Sequence, residues 1–229
     1  MKPRPTWGGK REGAGRPRKQ GSKPRHVRRP EIAKNTALHV SLRVCREVGR
    51  LRRPAGYQAI RRAIAACIGR RDFRVVHTSI QGNHIHLLVE ANHKRALTNG
   101  GRAFMVSAAQ HLNAARGRRG EVFIQRYHAV PLKTPRQARA AIAYVMNNWR
   151  RHGEDQDGPR QRAALVDPYS MGIVFDGWRE LPTPFAIPDG YEPLPVCGAR
   201  SWMLTVGWRK HPLVGLREVP GPLGERARR

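Results

Sequence analysis

Two histidines in one predicted strand are the first residues in the chain whose type and spacing could do chemistry. In the segment 84–90, strand alternation places His84 and His86 on one face and the apolar side chains Ile85, Leu87 and Val89 on the other. Two imidazoles about 7 Å apart along a strand can converge on one divalent ion. The pair is therefore a candidate metal site, and the alternative is two polar residues on a solvated sheet face.

A tyrosine in a later helix could supply a nucleophile to the same site. The segment 135–152 carries a buried stripe at helical spacing, made of Ala138, Ala141, Ile142, Val145, Met146 and Trp149. Tyr144 and Asn148 fall together at the edge of this stripe, as an i, i+4 pair on one line. A nucleophile and a metal ligand could therefore be presented side by side. Alternatively, Tyr144 is a border residue of an amphipathic helix.

Hydrophobic periodicity predicts the elements that must position these residues. Residues 37–44 and 84–91 alternate as half-buried strands do, residues 73–80 and 121–133 also read as strands, and helical spacing favours helices over 56–70 and 102–116. This βαββαβ order predicts an α+β, ferredoxin-like fold, with both helices on one face of a four-stranded antiparallel sheet and the other face open. A third helix follows, which begins at an N-cap of Thr134 and ends at Gly153. We expect function to reside on the open face.

The charge balance favours a polyanionic partner. The 229 residues include 44 Lys and Arg against 16 Asp and Glu, a formal net charge of +28. Nucleic acid is the expected partner, because each neutralised phosphate releases counterions. A GC-rich coding bias would explain the excess of Arg over Lys but not the shortage of acids. The three cysteines form no Cys-x-x-Cys pair, and no apolar run has the length of a membrane span, so we expect a soluble, cytoplasmic protein.

The N-terminal arm, residues 1–35, combines positive charge with Pro and Gly and lacks apolar periodicity, which is typical of disorder before binding. Within it, the segment 13–19 is similar to an AT-hook core, in which Arg16, Arg18 and Lys19 would contact DNA. A generic phosphate-binding role is the alternative. We divide the chain into this arm, a body of residues 36–154, and a Trp- and Pro-rich extension of residues 155–229 whose role the sequence does not indicate.

Three motifs together resemble a known family. They are Gln81-Gly82-Asn83-His84-Ile85-His86-Leu87-Leu88-Val89, then Phe123 with Arg126-Tyr127-His128, and Ala143-Tyr144-Val145-Met146-Asn147-Asn148. The stretch 37–153 resembles the REP-associated tyrosine transposases and their insertion-sequence relatives, which are single-tyrosine HUH endonucleases. The basic arm and the Trp-rich tail look like those of one bacterial branch. Many relatives have Asn-Pro where this chain has Asn148-Trp149.

The resemblance implies the ferredoxin-like fold and a transposase reaction. It implies Tyr144 as the nucleophile, Mg²⁺ or Mn²⁺ as the cofactor, and His84, His86 and Asn148 as the metal ligands. The implied products are a 5′-phosphotyrosine and a free 3′-hydroxyl, and the implied substrate is single-stranded DNA beside a hairpin or palindromic repeat. The nucleoid is then the expected location. The candidate phosphate contacts within the body are Arg43, Arg126, His128 and Lys133.

Three alternatives stay open at the level of sequence. The chain could be a non-catalytic nucleic-acid-binding protein, such as a domesticated transposase, a repressor or an RRM-like module. Tyr127 could be the nucleophile, with Tyr144 structural. Relatives include both monomers and homodimers in which the tyrosine serves the partner's metal, so the oligomeric state is open as well.

Overall fold

A four-stranded antiparallel sheet forms the centre of the protein. The computed structural model describes residues 32–181, 187, 189–219 and 221, which all belong to one compact unit. The strands, in chain order, are β1 (Thr36–Arg43), β2 (Phe73–Ile80), β3 (His84–Ala91) and β4 (His128–Pro131). Their order in the sheet is β2-β3-β1-β4, and every neighbouring pair is antiparallel. The predicted α+β, ferredoxin-like fold is confirmed.

Three long helices accompany the sheet, α1 (Pro54–Ala65), α2 (Lys94–Ala115) and α3 (Pro135–Arg151), followed by two short ones, α4 (Pro159–Ala163) and α5 (Trp202–Thr205). Helix α2 begins eight residues earlier than the predicted residue 102 and includes Gly100 and Gly101. A Cβ at Gly100 would lie 2.1 Å from the Phe73 ring, and one at Gly101 would lie 2.4 Å from the Tyr127 ring. The glycines therefore serve close packing rather than a helix break. Among the described residues, no helix is long and apolar enough to span a bilayer.

The fourth strand is much shorter than predicted. Only residues 128–131 are strand, whereas the sequence favoured 121–133. Before it, the chain follows β1 through an isolated bridge between Val44 and Phe123, then leaves the sheet. Tyr127 turns into the helix-side core, where it is 6% exposed and its hydroxyl donates to the Leu97 carbonyl at 3.0 Å. The prediction of strand at Arg126 and Tyr127 is therefore wrong, because side-chain burial overrides alternation there.

Helix α3 begins and ends as its sequence predicts. The Thr134 Oγ1 accepts a hydrogen bond from the Gln137 backbone N–H at 3.2 Å, and Pro135 occupies the first turn. The Gln137 Oε1 accepts from the Lys133 N–H at 2.8 Å, one residue outside the usual capping box. The helix stops before Gly153, whose φ of 67° lies in the left-handed region. Local capping thus fixes the element that carries Tyr144.

The second face of the sheet is not open, contrary to prediction. Helices α1 and α2 cover one face, over Val40, Leu87 and other apolar residues. Helix α3 and the chain after it cover most of the other face, over Val76 and Leu88, in a core that includes Met146, Trp178 and Trp208. Amphipathic patterning within one element cannot reveal burial supplied by a distant segment.

The C-terminal extension is fastened to α3 and β3 by hydrogen bonds. Asn147 Nδ2 donates to the Gly215 carbonyl at 2.8 Å, and Arg139 donates to the Leu213 carbonyl at 2.9 Å. The carboxylate of Glu90 accepts from the backbone N–H groups of Arg200 and Ser201. The extension therefore helps to set the position of α3 on the sheet.

Candidate functional site

Helix α3 crosses the sheet near His84 and His86 and brings Tyr144 into contact with histidines of β1 and β3. The Tyr144 ring centroid lies 5.1 Å from that of His86 and 5.8 Å from that of His39, with edge-to-face geometry in both contacts. One turn past Asn148, the His152 ring lies 5.0 Å from the His84 ring. The His84 and His86 rings are 4.7 Å apart.

Asn148 lies on the same line of α3, four residues from Tyr144 and four from His152. Its side chain is fully buried, and neither its Oδ1 nor its Nδ2 has a hydrogen-bond partner. The Nε2 of His86 is also buried without a partner. Buried polar groups in proteins are nearly always satisfied, so exceptions that cluster require an explanation. The structure thus brings His84, His86, Asn148 and Tyr144 to one region.

The other ring nitrogens of the two predicted ligands are engaged. His86 Nδ1 lies 3.0 Å from His39 Nε2, in a buried contact between β3 and β1. His84 Nδ1 lies 2.8 Å from Asn83 Oδ1. Metal-bound histidines usually direct one nitrogen to the ion and the other to such a partner. In both residues this arrangement leaves Nε2 available.

The imidazoles of this site are held in their neutral form. Burial lowers the pKa of His39 and of His84 to about 4, and neighbouring His128 and His152 add to the respective effects. Burial also lowers the pKa of His86 well below its ordinary value. Neutral imidazole is the form that coordinates metal, so these residues need no deprotonation step at pH 7.

The phenol of Tyr144 is held protonated. Partial burial raises its pKa above the ordinary value, while the positive charge of Arg151 opposes that rise. A protonated phenol is a poor nucleophile, so chemistry at Tyr144 requires a nearby cation or a base. Arg151 is one such cation on α3 itself.

The side chains present match a divalent ion in the type of their donor atoms. Two imidazole nitrogens and one amide oxygen are the available donors, and the orphaned His86 Nε2 and Asn148 Oδ1 are the atoms that an ion would satisfy. Within the described part of the chain, no group of three or more His, Cys, Asp or Glu side chains could hold a metal. Imidazole nitrogen is softer than the oxygen ligands that Mg²⁺ prefers, so this donor set suits Mn²⁺ better.

A basic cleft opens beside the histidines. Its volume is about 560 Å³, and His84 and His86 line it together with three of the predicted phosphate contacts, Arg43, Arg126 and His128. A second hollow of about 440 Å³ shares Arg43, Asn83 and Ile124 with the cleft and adds Arg46 and Arg50. Ile124 is 40% exposed where the two meet. Arginine side chains thus flank an apolar side chain, and one of them, Arg50, is ion-paired with Glu154 and Asp157.

Some predicted residues do not join this site. Lys133 is exposed near the start of α3 and does not line the cleft. Arg16, Arg18 and Lys19 lie outside the described residues, as does nearly all of the predicted arm. Tyr127, the alternative nucleophile, packs in the helix-side core between α2 and the sheet.

Sequence reasoning missed three residues that the structure adds: His39, Arg151 and His152. The alternation of β1 contained a signal for His39, because Leu38 and Val40 face the helices and so direct His39 to the opposite face. His152 stands eight residues after Tyr144, two helical turns along the same line. The contact between His39 and His86 could not be derived from the sequence, because it depends on how β1 and β3 align.

Two solved structures resemble this chain in backbone. One is a REP-associated tyrosine transposase bound to a REP hairpin, at 18% identity and a TM-score of 0.48, covering 58% of this chain and 79% of that one. The other is a candidate transposase from Deinococcus radiodurans, at 17% identity and a TM-score of 0.35, covering 59% of this chain and 97% of that one. No protein-family model and no curated protein matches the sequence. Both alignments are too distant to assign an activity.

Proposed function

We propose that this protein is a metal-dependent single-stranded DNA endonuclease and strand transferase of the tyrosine transposase type. The observation that carries the proposal is the cluster on the α3 side of the sheet. There the Tyr144 ring lies against His86, and His86 Nε2 and the Asn148 amide are buried without partners. A bound ion would satisfy His86 Nε2 and Asn148 Oδ1, which supports a ligand-binding role for the cluster.

In the proposed reaction, the Tyr144 oxygen attacks the scissile phosphorus. The bond from Tyr144 Oη to phosphorus forms as the bond from phosphorus to the 3′ oxygen breaks; the phenolic proton passes to solvent, and the departing 3′ oxygen takes up a proton from solvent. The products are a 5′-phosphotyrosine and a strand that ends in a free 3′-hydroxyl. Because the phosphoester is conserved, the same or another 3′-hydroxyl can reverse the step, so strand transfer needs no ATP.

His84, His86 and Asn148 would hold the divalent ion, Mn²⁺ or Mg²⁺. When bound, the ion would supply Lewis-acid polarisation of the scissile phosphate and neutralise charge that develops on it. The neutral state of both imidazoles keeps their nitrogens available as ligands. The positive charge of Arg151 lowers the pKa of Tyr144, against the effect of burial, and so favours its phenolate form.

The cleft beside the histidines would bind the DNA. Arg43, Arg126 and His128 line it, and Ile124 offers an apolar surface for a base. The net charge of +28 adds sequence-independent affinity. The expectation of a hairpin or palindromic repeat next to the cleavage site rests on the motif resemblance.

The test is covalent capture. The protein is incubated with hairpin-bearing oligonucleotides, labelled on the strand 3′ to the expected cleavage site, and Mn²⁺, then separated on a denaturing gel. We expect a labelled protein–DNA adduct that EDTA prevents, and peptide mapping that locates the modification at Tyr144. The Tyr144→Phe variant should bind the oligonucleotide and form no adduct, while Tyr127→Phe should retain it.

Two outcomes would overturn the proposal. An adduct that persists in Tyr144→Phe would show that another residue is the nucleophile. Tight DNA binding by the wild-type protein without any adduct, across hairpins of varied sequence and with either metal, would instead favour a binding protein that has kept the fold.

A further inference from the structure

We propose that His39 is a positioning residue that fixes the tautomer and the orientation of His86 for metal binding. The role rests on the proposed function, because it assigns a supporting group to the same site. The juxtaposition that motivates it is the buried contact of 3.0 Å between His39 Nε2 and His86 Nδ1.

His39 is built into the structure rather than solvated. It lies in the middle of β1, next to β3, and only 7% of its surface is exposed. Its ring and that of His86 meet edge to edge through this contact, with centroids 5.1 Å apart and an angle of 20° between the planes. The Tyr144 ring packs edge-on against the same imidazole at 5.8 Å. His39 therefore contacts the Nδ1 atom of His86, whereas the nitrogen of His86 without a partner is Nε2.

The hydrogen bond has two tautomeric forms, and packing favours one of them. If His39 donated its Nε2–H, then His86 would carry its own proton on Nε2, and that N–H would be buried without an acceptor. If His86 Nδ1–H donates, then His86 Nε2 is an unprotonated acceptor. Orphaned buried N–H groups are rarer than undersatisfied acceptors. The second form also presents the lone pair that a metal needs.

Partners of this kind orient ligands in other metal sites. A ligating histidine usually gives its second N–H to a carboxylate, a backbone carbonyl or a water. Here the acceptor is a second imidazole from the neighbouring strand. His84 has a different partner, Asn83 in the β2–β3 turn, so the two ligands are oriented independently.

The first experiment reads the tautomer of His86 in the metal-free wild-type protein, by long-range ¹H–¹⁵N NMR of the histidine rings. The spectra of His86→Gln and His39→Gln assign the signals. We expect His86 to be protonated on Nδ1 and unprotonated on Nε2. A His86 ring protonated on Nε2 would overturn the proposal, and this reading does not depend on cleavage activity.

The second experiment measures Mn²⁺ affinity by calorimetry on three variants. His39→Phe retains a ring and removes the acceptor, so we expect affinity to fall about 10- to 100-fold, the usual cost of losing such a partner. His39→Gln restores an acceptor oxygen and should regain most of the affinity. His77→Phe removes another buried imidazole, from β2, and should bind Mn²⁺ as the wild type does.

The outcomes separate this proposal from the proposed function. Equal Mn²⁺ affinity in His39→Phe and the wild type, or absence of Mn²⁺ binding by the wild type, would overturn the role of His39. Failure of the proposed function would appear instead as absence of the Tyr144 adduct in the wild type. Should His39→Phe fail to fold, the tautomer of His86 in the wild-type protein still decides the matter.

Discussion

Two buried polar clusters lie near the β2–β3 turn, and they differ in how completely their atoms are paired. In the first, Arg52 donates two hydrogen bonds to Asp167, at 2.9 and 3.0 Å, and a third to the Ile80 carbonyl at 2.9 Å. Asp167 also accepts from the Tyr169 N–H at 2.9 Å. Every charged oxygen there has a partner.

The second cluster, formed by His39, His86, Asn148 and Tyr144, is incomplete. It has one hydrogen bond between imidazoles, while His86 Nε2 and both amide atoms of Asn148 have none. The side chains of Arg52 and Asp167 in the first cluster, and of His39, His86 and Asn148 in the second, are all buried. Burial alone therefore does not distinguish the two clusters, which differ in the pairing of their polar atoms, and the metal role proposed for the His86 cluster rests on that difference.

The largest expected effect on stability comes from removing the ion pair of the first cluster. Replacing Arg52 with Leu leaves the Asp167 carboxylate buried and unpaired, so we expect the free energy of unfolding to fall by about 3–5 kcal/mol. Urea denaturation followed by circular dichroism measures it. The double variant Arg52→Leu with Asp167→Leu should recover much of the loss, because no lone charge stays buried. A loss below about 1 kcal/mol in the single variant is typical of solvent-exposed ion pairs and would contradict the burial of the Arg52–Asp167 pair.

A smaller effect, on pH dependence, concerns a third buried polar group that does not belong to the site. Burial lowers the pKa of His77 to about 4, with Asp176 opposing and Arg209 adding to the effect. The unfolded chain binds the proton near pH 6.5, so His77 adds stability above that pH and this stability is lost as the pH falls towards 4. We expect a loss of about 2 kcal/mol from His77 between pH 7 and pH 5.

Urea titrations at pH 7 and pH 5 check this prediction on metal-free protein. The His77→Phe variant should show a pH dependence smaller by about 2 kcal/mol. An identical pH dependence in variant and wild type would mean that His77 is protonated in the folded state, in conflict with its burial against Met171 and Phe175.

The smallest expected effect on stability comes from a substitution in the second cluster, at Asn148. Replacing Asn148 with Leu removes two unpaired buried polar atoms, so we expect stability in EDTA to be unchanged or to rise by about 1 kcal/mol. Mn²⁺ affinity should fall at least about tenfold, since an oxygen ligand is lost.

Asn147 provides a matched control one residue away. Its Nδ2 donates to the Gly215 carbonyl, so Asn147→Leu should destabilise the protein by about 1 kcal/mol and leave Mn²⁺ binding unchanged. If Asn148→Leu instead lost stability and kept its Mn²⁺ affinity, Asn148 would be a structural residue like its neighbour.

Local patterns were sufficient to predict the parts of the fold that local forces determine. The predicted limits of β2 and β3 match the observed ones, because the turn residues 81–83 separate the two strands within a short stretch of chain. Thr134, Pro135 and Gly153 gave the limits of α3, because capping acts within one turn. The shared line of Tyr144 and Asn148 followed from helical geometry alone.

Contacts between distant segments could not be predicted. Asp167 meets Arg52 across 115 residues, and nothing in either local sequence indicates the pairing. The cover of α3 by the extension, through Trp178 and Trp208, left no periodic signal because that segment has little regular structure. His39 was visible as an alternating strand residue, but its role depends on the alignment of β1 with β3.

Diffraction from crystals grown with Mn²⁺, recorded at the manganese absorption edge, would show whether a metal ion binds between β3 and α3. We expect one strong anomalous peak at bonding distance from the Nε2 atoms of His84 and His86 and from Asn148 Oδ1, beside the Tyr144 hydroxyl. A cluster without such a peak, in which water molecules satisfy the Asn148 amide and His86 Nε2, would contradict this expectation.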